Sequence, residues 1–284
     1  MAAVLAVTTP PAPGLSATLV KRALTTVIGV PLFVWAVVAA PRWVFALLVV
    51  AASGLAAWEL LRMFERAGRP GYSWPAVVGT AAVTASFATP GFPGLGAVVF
   101  TLVVAVTLSV PVWGDSVPAV EPVATTMFAI VYVGWLLGHA LLLRMLADGA
   151  HLVLLLVGTT WAGESAAYVV GSVLGRRPLA PVISPRKTVE GAVGQLAASI
   201  GTAAVLGAWF LPQWSMSTVI VAGALLGIAG QVGDLVESAI KRSLGAKDTG
   251  GLIPGHGGVL DRVDGLLFNA PALFYYASWV GGRG

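Results

Sequence analysis

Cysteine is absent from these 284 residues, so disulfides, thiolate nucleophiles and cysteine-based zinc sites are all excluded. Histidine is scarce as well: His139, His151 and His256 lie far apart and share no metal-ligand spacing. Any bound metal is therefore expected to be a hard cation held by carboxylates, with magnesium the first candidate. Charge is the third shortage. Only 10% of residues are charged and 57% are hydrophobic, with a mean hydropathy of +0.90, whereas roughly a quarter of a soluble domain is charged. The composition is that of an all-α polytopic membrane protein. A net charge of +4 is then expected to record topology, with no nucleic acid as a partner.

What is present begins with apolar runs long enough to cross a bilayer, about 17 to 25 residues each. They cover roughly 23–40, 43–61, 74–89, 95–113, 124–143, 151–173, 189–211, 217–236 and 265–281, which predicts about nine transmembrane helices, the third and the last near the short limit. Residues 1–22, with Pro10, Pro11 and Pro13 and no charge before Lys21, are expected to form a flexible cytosolic lead-in. The rest divides into N-terminal helices over 23–143 and a C-terminal region over 144–284 with polar loops at 174–188 and 237–264. With a cytosolic N-terminus, alternate loops place 13 of the 16 basic residues inside and only Arg42, Arg144 and Arg283 outside. That asymmetry supports both the count and the orientation.

The carboxylates are concentrated. Five of the twelve acidic residues, Asp234, Glu237, Asp248, Asp261 and Asp264, fall in one stretch rich in glycine. Asp234, Glu237, Ser238 and Lys241 are spaced to share one face of a helix end. A Glu237–Lys241 surface pair would be worth only a few tenths of a kcal/mol, and it leaves Asp234 unexplained. A carboxylate in a mostly apolar helix is costly unless it meets a cavity, a cation or a partner. Asp261 and Asp264, one turn apart, could each merely complement a helix N-terminus. They follow Gly250, Gly251, Gly255, Gly257 and Gly258, however, and glycine lets amide groups converge on an anion while nearby carboxylates hold its metal. Lys241, Arg242, Lys247 and Arg262 add positive charge. His256 is a weak candidate for a proton or phosphate donor.

An earlier loop offers a second set. Ser184, Lys187 and Thr188 precede an apolar helix and resemble an N-cap that presents hydroxyls and cations to an anion. Arg176, Arg177 and Arg186 serve equally well as topology markers. Glu164 lies within an apolar span and meets the same cost as Asp234.

The pattern Ser238-x-x-Lys241-Arg242-x4-Lys247-Asp248, then Pro254-Gly-His256-Gly257-Gly258-x-x-Asp261-Arg262-x-Asp264, resembles the signature of the phosphatidate cytidylyltransferases, the CDP-diacylglycerol synthases. Ser184 through Gly191 resembles a second segment of that family, and the likeness is best from about Tyr132 to Ala277. The resemblance implies transfer of CMP from CTP to phosphatidate, with pyrophosphate released, in a multi-helix homodimer of the cytoplasmic membrane whose catalytic face is cytosolic. It implies catalytic roles for Asp234, Lys241, Arg242, Lys247, Asp248, His256, Asp261, Arg262 and Asp264. Substrate contacts fall to Ser184, Lys187, Thr188, Ser238, Gly257 and Gly258. Magnesium, with or without a second, monovalent cation, falls to Asp234, Asp261 and Asp264, with Glu164 as a further ligand candidate. Glu164 stands where the family usually has Asp, and Gln195 where glycine is common.

A phosphomonoester has a second pKa of about 6, so a lipid phosphate is already an ionised nucleophile at neutral pH and needs no general base. Two rivals stay open: the same chemistry on another lipid phosphate, and a cation transporter that uses the intramembrane carboxylates.

Overall fold

The computed structural model describes residues 15–89, 92, 94–113, 120–252 and 257–282, with side chains of the first helix from Thr26 onward. Apolar chain in a bilayer has no water to satisfy its amides, so it folds into helices that close their own hydrogen bonds. The helical segments are α1 (Leu15–Val38), α2 (Arg42–Arg66), α3 (Ser73–Ser86), α4 (Leu95–Trp113) and α5 (Val120–Met145). They continue with α6 (Gly149–Leu174), α7 (Val189–Phe210), α8 (Met216–Ser243) and α9 (Leu260–Gly281). Each coincides with one expected apolar run.

Six of them, α2 and α4 through α8, are long and apolar enough to cross a membrane. Of α1, the part described with its side chains, Thr26–Val38, is a shorter apolar segment. At 14 residues α3 is about 21 Å long, short of a hydrocarbon core of roughly 30 Å. α9 carries Asp261, Arg262 and Asp264 in its opening turns.

Several expected boundaries move. α1 begins at Leu15, inside the segment expected as a lead-in. α5 runs unbroken past residue 143 to Met145. The 174–188 loop is an ordered antiparallel hairpin, β1 (Pro178–Ala180) with β2 (Ser184–Thr188), in which Pro178 faces Thr188 and Ala180 faces Ser184. Glu190 anchors its base, accepting from the amides of Arg176 at 3.0 Å and Arg177 at 3.2 Å and from the Arg177 Nε at 3.2 Å. The helical part of α8 extends to Ser243, so Glu237, Ser238, Lys241 and Arg242 sit on a helix and the expected 237–264 loop shrinks to the residues between α8 and α9.

Small residues let the C-terminal helices approach closely, as in other membrane bundles. A side chain at Gly223 of α8 would place its Cβ 2.8 Å from the Ala203 Cβ of α7. At Gly230 a Cβ would stand 2.9 Å from the Asn269 Nδ2 of α9, and Asn269 in turn donates to the Thr160 Oγ1 of α6 at 2.8 Å. Within α5, residues Ile130–Trp135 form a wide π turn. Wide turns of this kind recur near functional sites, and this one turns Tyr132 into the core, 5% exposed.

Candidate active site at one end of the bundle

The hairpin, the end of α8 and the start of α9 meet at one end of the molecule. Thr188 caps α7 by accepting from the Gly191 amide at 3.1 Å, which holds β2 against the helix start. From there the Lys187 Nζ reaches Asp234 Oδ1 at 2.6 Å and Ser238 Oγ at 3.2 Å. The two polar segments of the sequence are thereby joined in one place. Arg242 reinforces the junction, its Nε donating to the Ile183 carbonyl at 3.2 Å and its guanidinium to the Ala246 carbonyl at 3.4 Å. Those bonds tie the hairpin to the loop, so part of the guanidinium is committed to structure.

Asp234, Glu237 and Asp264 each offer a carboxylate oxygen, and the three atoms lie within 4.8 Å of one another. Glu237 is not the exposed partner of Lys241 that spacing alone suggests. It is 1% exposed, with Oε2 accepting from Lys241 Nζ at 2.8 Å. Its Oε1 is buried without a hydrogen-bond partner among the described residues. Three hard oxygen donors and one orphaned carboxylate oxygen suit magnesium. Asp261, expected in that set, lies beside it. Its Oδ1 accepts from Lys241 at 3.0 Å, and its Oδ2 accepts from the amides of Thr249 at 3.3 Å and Gly258 at 3.1 Å. Asp261 therefore shapes the glycine-rich loop and bridges it to α8 through Lys241. Gly257 takes a left-handed backbone there, with φ of 84°, which glycine adopts without steric cost.

Glu164 approaches from α6: a Cβ on Gly265 would stand 2.5 Å from its Oε1. Together with Asp234, Ser184, Lys187 and Thr188 it lines a cavity of about 490 Å3, within the usual range of roughly 300–1,000 Å3 for a small-molecule pocket. Arg186, Gln195 and Gln231 line it too. Lys247, Asp248 and Arg262 are exposed and make no ion pair among the described residues. His256 lies outside the described residues.

Three side chains at or beside the site carry no role in the sequence motifs. Gln195 is 4% exposed, lines the cavity and makes no hydrogen bond among the described residues. Tyr132, from the N-terminal half, lies within electrostatic reach of Glu237, Asp264 and Asp234, and its hydroxyl is buried with no partner among the described residues. Glu59 of α2 is 1% exposed. Its Oε2 accepts from the Leu260 amide at 2.9 Å and from Thr249 Oγ1 at 3.4 Å, capping α9 and pinning the loop from outside the C-terminal region. The signal for Glu59 is the one that marks Asp234 and Glu164, an ionisable residue inside an apolar run.

The sequence profile described as "Cytidylyltransferase family" matches residues 20–280. Among curated proteins, the chain is 42% identical over 151 residues to "Uncharacterized protein YnbB" of Escherichia coli, covering 53% of this chain and 50% of that one. It is 45% identical over 130 residues to the phosphatidate cytidylyltransferase of Synechocystis, covering 45% and 43%. It is 39% identical over 150 residues to the phosphatidate cytidylyltransferase of Staphylococcus saprophyticus, covering 53% and 57%. The chain thus spans about half the length of the curated relatives it matches.

Proposed function

Because the chain belongs to the cytidylyltransferase family, we propose that it transfers CMP from CTP to phosphatidate, giving CDP-diacylglycerol and pyrophosphate. The observation that carries this reading is the contact of Lys187 with Asp234, which sets a cation-rich hairpin against a carboxylate cluster at the mouth of one cavity. A phosphate oxygen of the lipid attacks the α-phosphorus of CTP; a new oxygen–phosphorus bond forms, and the bond from that phosphorus to the α,β-bridging oxygen breaks, that oxygen leaving as a terminal oxygen of pyrophosphate. No proton has to be removed from the nucleophile, since a phosphomonoester is largely dianionic above its second pKa of about 6.

The chain's own groups hold charge and position. Lys187 and Lys241, each within hydrogen-bond reach of carboxylates, present ammonium groups to the phosphates, and Ser184 and Thr188 border the same cavity. Asp234, Glu237 and Asp264 would hold magnesium, which when bound neutralises charge on the phosphoryl oxygens. Catalysis of this kind is positioning with preorganised electrostatics. We place the protein in the cytoplasmic membrane as a homodimer with nine crossings, a cytosolic N-terminus and the site on the cytosolic side.

The gathering of carboxylates and lysines at one end, rather than along a path across the bundle, supports an enzyme over a cation route. The deciding measurement is pyrophosphate release from CTP by the purified full chain in detergent, with phosphatidate, an isoprenoid phosphate, an ether-lipid phosphate or no lipid. Release that depends on phosphatidate is expected. Release only with another lipid phosphate would change the acceptor, and none with any lipid would remove the reading.

A further inference from the structure

Opposite the carboxylate cluster, the other end of the bundle holds a second concentration of positive charge. Arg42 opens α2 and Arg144 lies in the last turn of α5. Both line one cavity of about 180 Å3 whose other walls are apolar, Trp43, Phe45, Leu141 and Met145 among them, and no acidic side chain lines it. Arg42 acts on Arg144 as a like charge. Two guanidinium groups brought together at the edge of a bilayer without a carboxylate are unfavourable unless an anion joins them.

A purely structural role accounts for one of the two. Arg144 Nε donates to the Val37 carbonyl at 3.1 Å, satisfying an orphan acceptor at the end of α1 and fixing the guanidinium in place. Arg42 makes no hydrogen bond or ion pair through its side chain among the described residues. Asp148 does not line the cavity; its Oδ2 accepts from the Gln213 amide at 2.6 Å and its Oδ1 lies 3.8 Å from His151 Nδ1. α2 also starts without a side-chain cap, so its first amides and the positive end of its dipole add to the charge at Arg42. Trp43, 63% exposed, adds the aromatic anchor typical of a membrane interface.

We propose that this cavity binds the headgroup phosphate of an anionic phospholipid in the leaflet away from the carboxylate cluster. Its volume is below the roughly 300–1,000 Å3 of pockets that enclose a whole ligand, which suits a headgroup whose acyl chains stay outside. The exposed Leu47 and Leu48 of α2 continue from the cavity as a surface for those chains. Arginine is the residue whose planar fork matches phosphate oxygens. The inference is independent of the reaction proposed at the other end.

Native mass spectrometry of the full chain in detergent, titrated with phosphatidylglycerol or phosphatidylcholine, tests it, together with thermal unfolding in inorganic phosphate. Preferential retention of phosphatidylglycerol is expected, lowered about fivefold by Arg42→Gln, the effect of losing one basic residue beside an anionic lipid. Arg144→Gln also loses the Val37 bond, so the exposed Arg42 is the deciding position. Equal retention by wild type and Arg42→Gln would overturn the proposal. So would equal retention of phosphatidylcholine, or stabilisation by inorganic phosphate alone that matches the lipid's.

Discussion

Glu237 serves two tasks: one oxygen accepts from Lys241, and the carboxylate stands in the cluster with Asp234 and Asp264. Replacing it with Gln keeps the shape and removes the charge. Glu237→Gln is expected to lower CTP-dependent pyrophosphate release by about 10²-fold or more, the usual scale for one preorganised electrostatic group, while the protein still purifies as a folded species. Gln195 poses the opposite question, because its amide lies in the cavity wall with no partner among the described residues. An amide that faces the cavity without a protein partner contributes little to the fold, so an apolar replacement of similar size is close to neutral for stability. Gln195→Leu should therefore hold the unfolding temperature while raising the KM for one substrate. If turnover with both substrates is unchanged, the amide does not contact either.

At the scale of elements, the glycine-rich loop depends on groups from three helices: Lys241 of α8, Asp261 of α9 and Glu59 of α2. Glu59→Ala leaves the Leu260 amide without its acceptor, a loss of roughly 1–3 kcal/mol for a buried group, visible as a lower unfolding temperature in detergent. Glu59→Gln retains an acceptor oxygen and is expected to recover most of that loss; equal damage from both variants would mean that the charge, not the hydrogen bond, matters. The positions of the helices were legible in the apolar runs, since hydropathy is a property of local composition. The hairpin was not, because Ser184-Pro-Arg-Lys-Thr188 lacks the apolar–polar alternation of a strand, and the Glu190 bonds at its base come from a residue beyond it in sequence. Asp234 could be picked out because a carboxylate is conspicuous in an apolar run, and Asp264 because it stands one turn from Asp261 after a run of glycines. Glu237 and Asp261 were harder to place, since the rotation of one helix against another decides which carboxylate faces the cluster, and spacing within a helix does not fix that rotation.

For the whole molecule, the hairpin and the site share one end, while Arg42, Arg144 and the α7–α8 turn occupy the other. The lack of native cysteine makes any introduced thiol unique. Lys247→Cys in the exposed part of the site loop should escape a membrane-impermeant maleimide in intact cells, and Pro212→Cys in the α7–α8 turn should react with it. The reverse pattern would invert the orientation.

The Glu59 bond to Leu260 spans 201 residues of sequence, which makes it an event in the making of the protein as well as a contact within it. At roughly 5–20 residues per second of synthesis, α2 waits about 10 to 40 seconds in the bilayer with a carboxylate that has not met its partner. During that interval the nascent chain contains an early helix whose acid is unsatisfied and no finished glycine-rich loop. Arrival of α9 supplies the missing donor and completes the loop together, so a helix made late settles one made early.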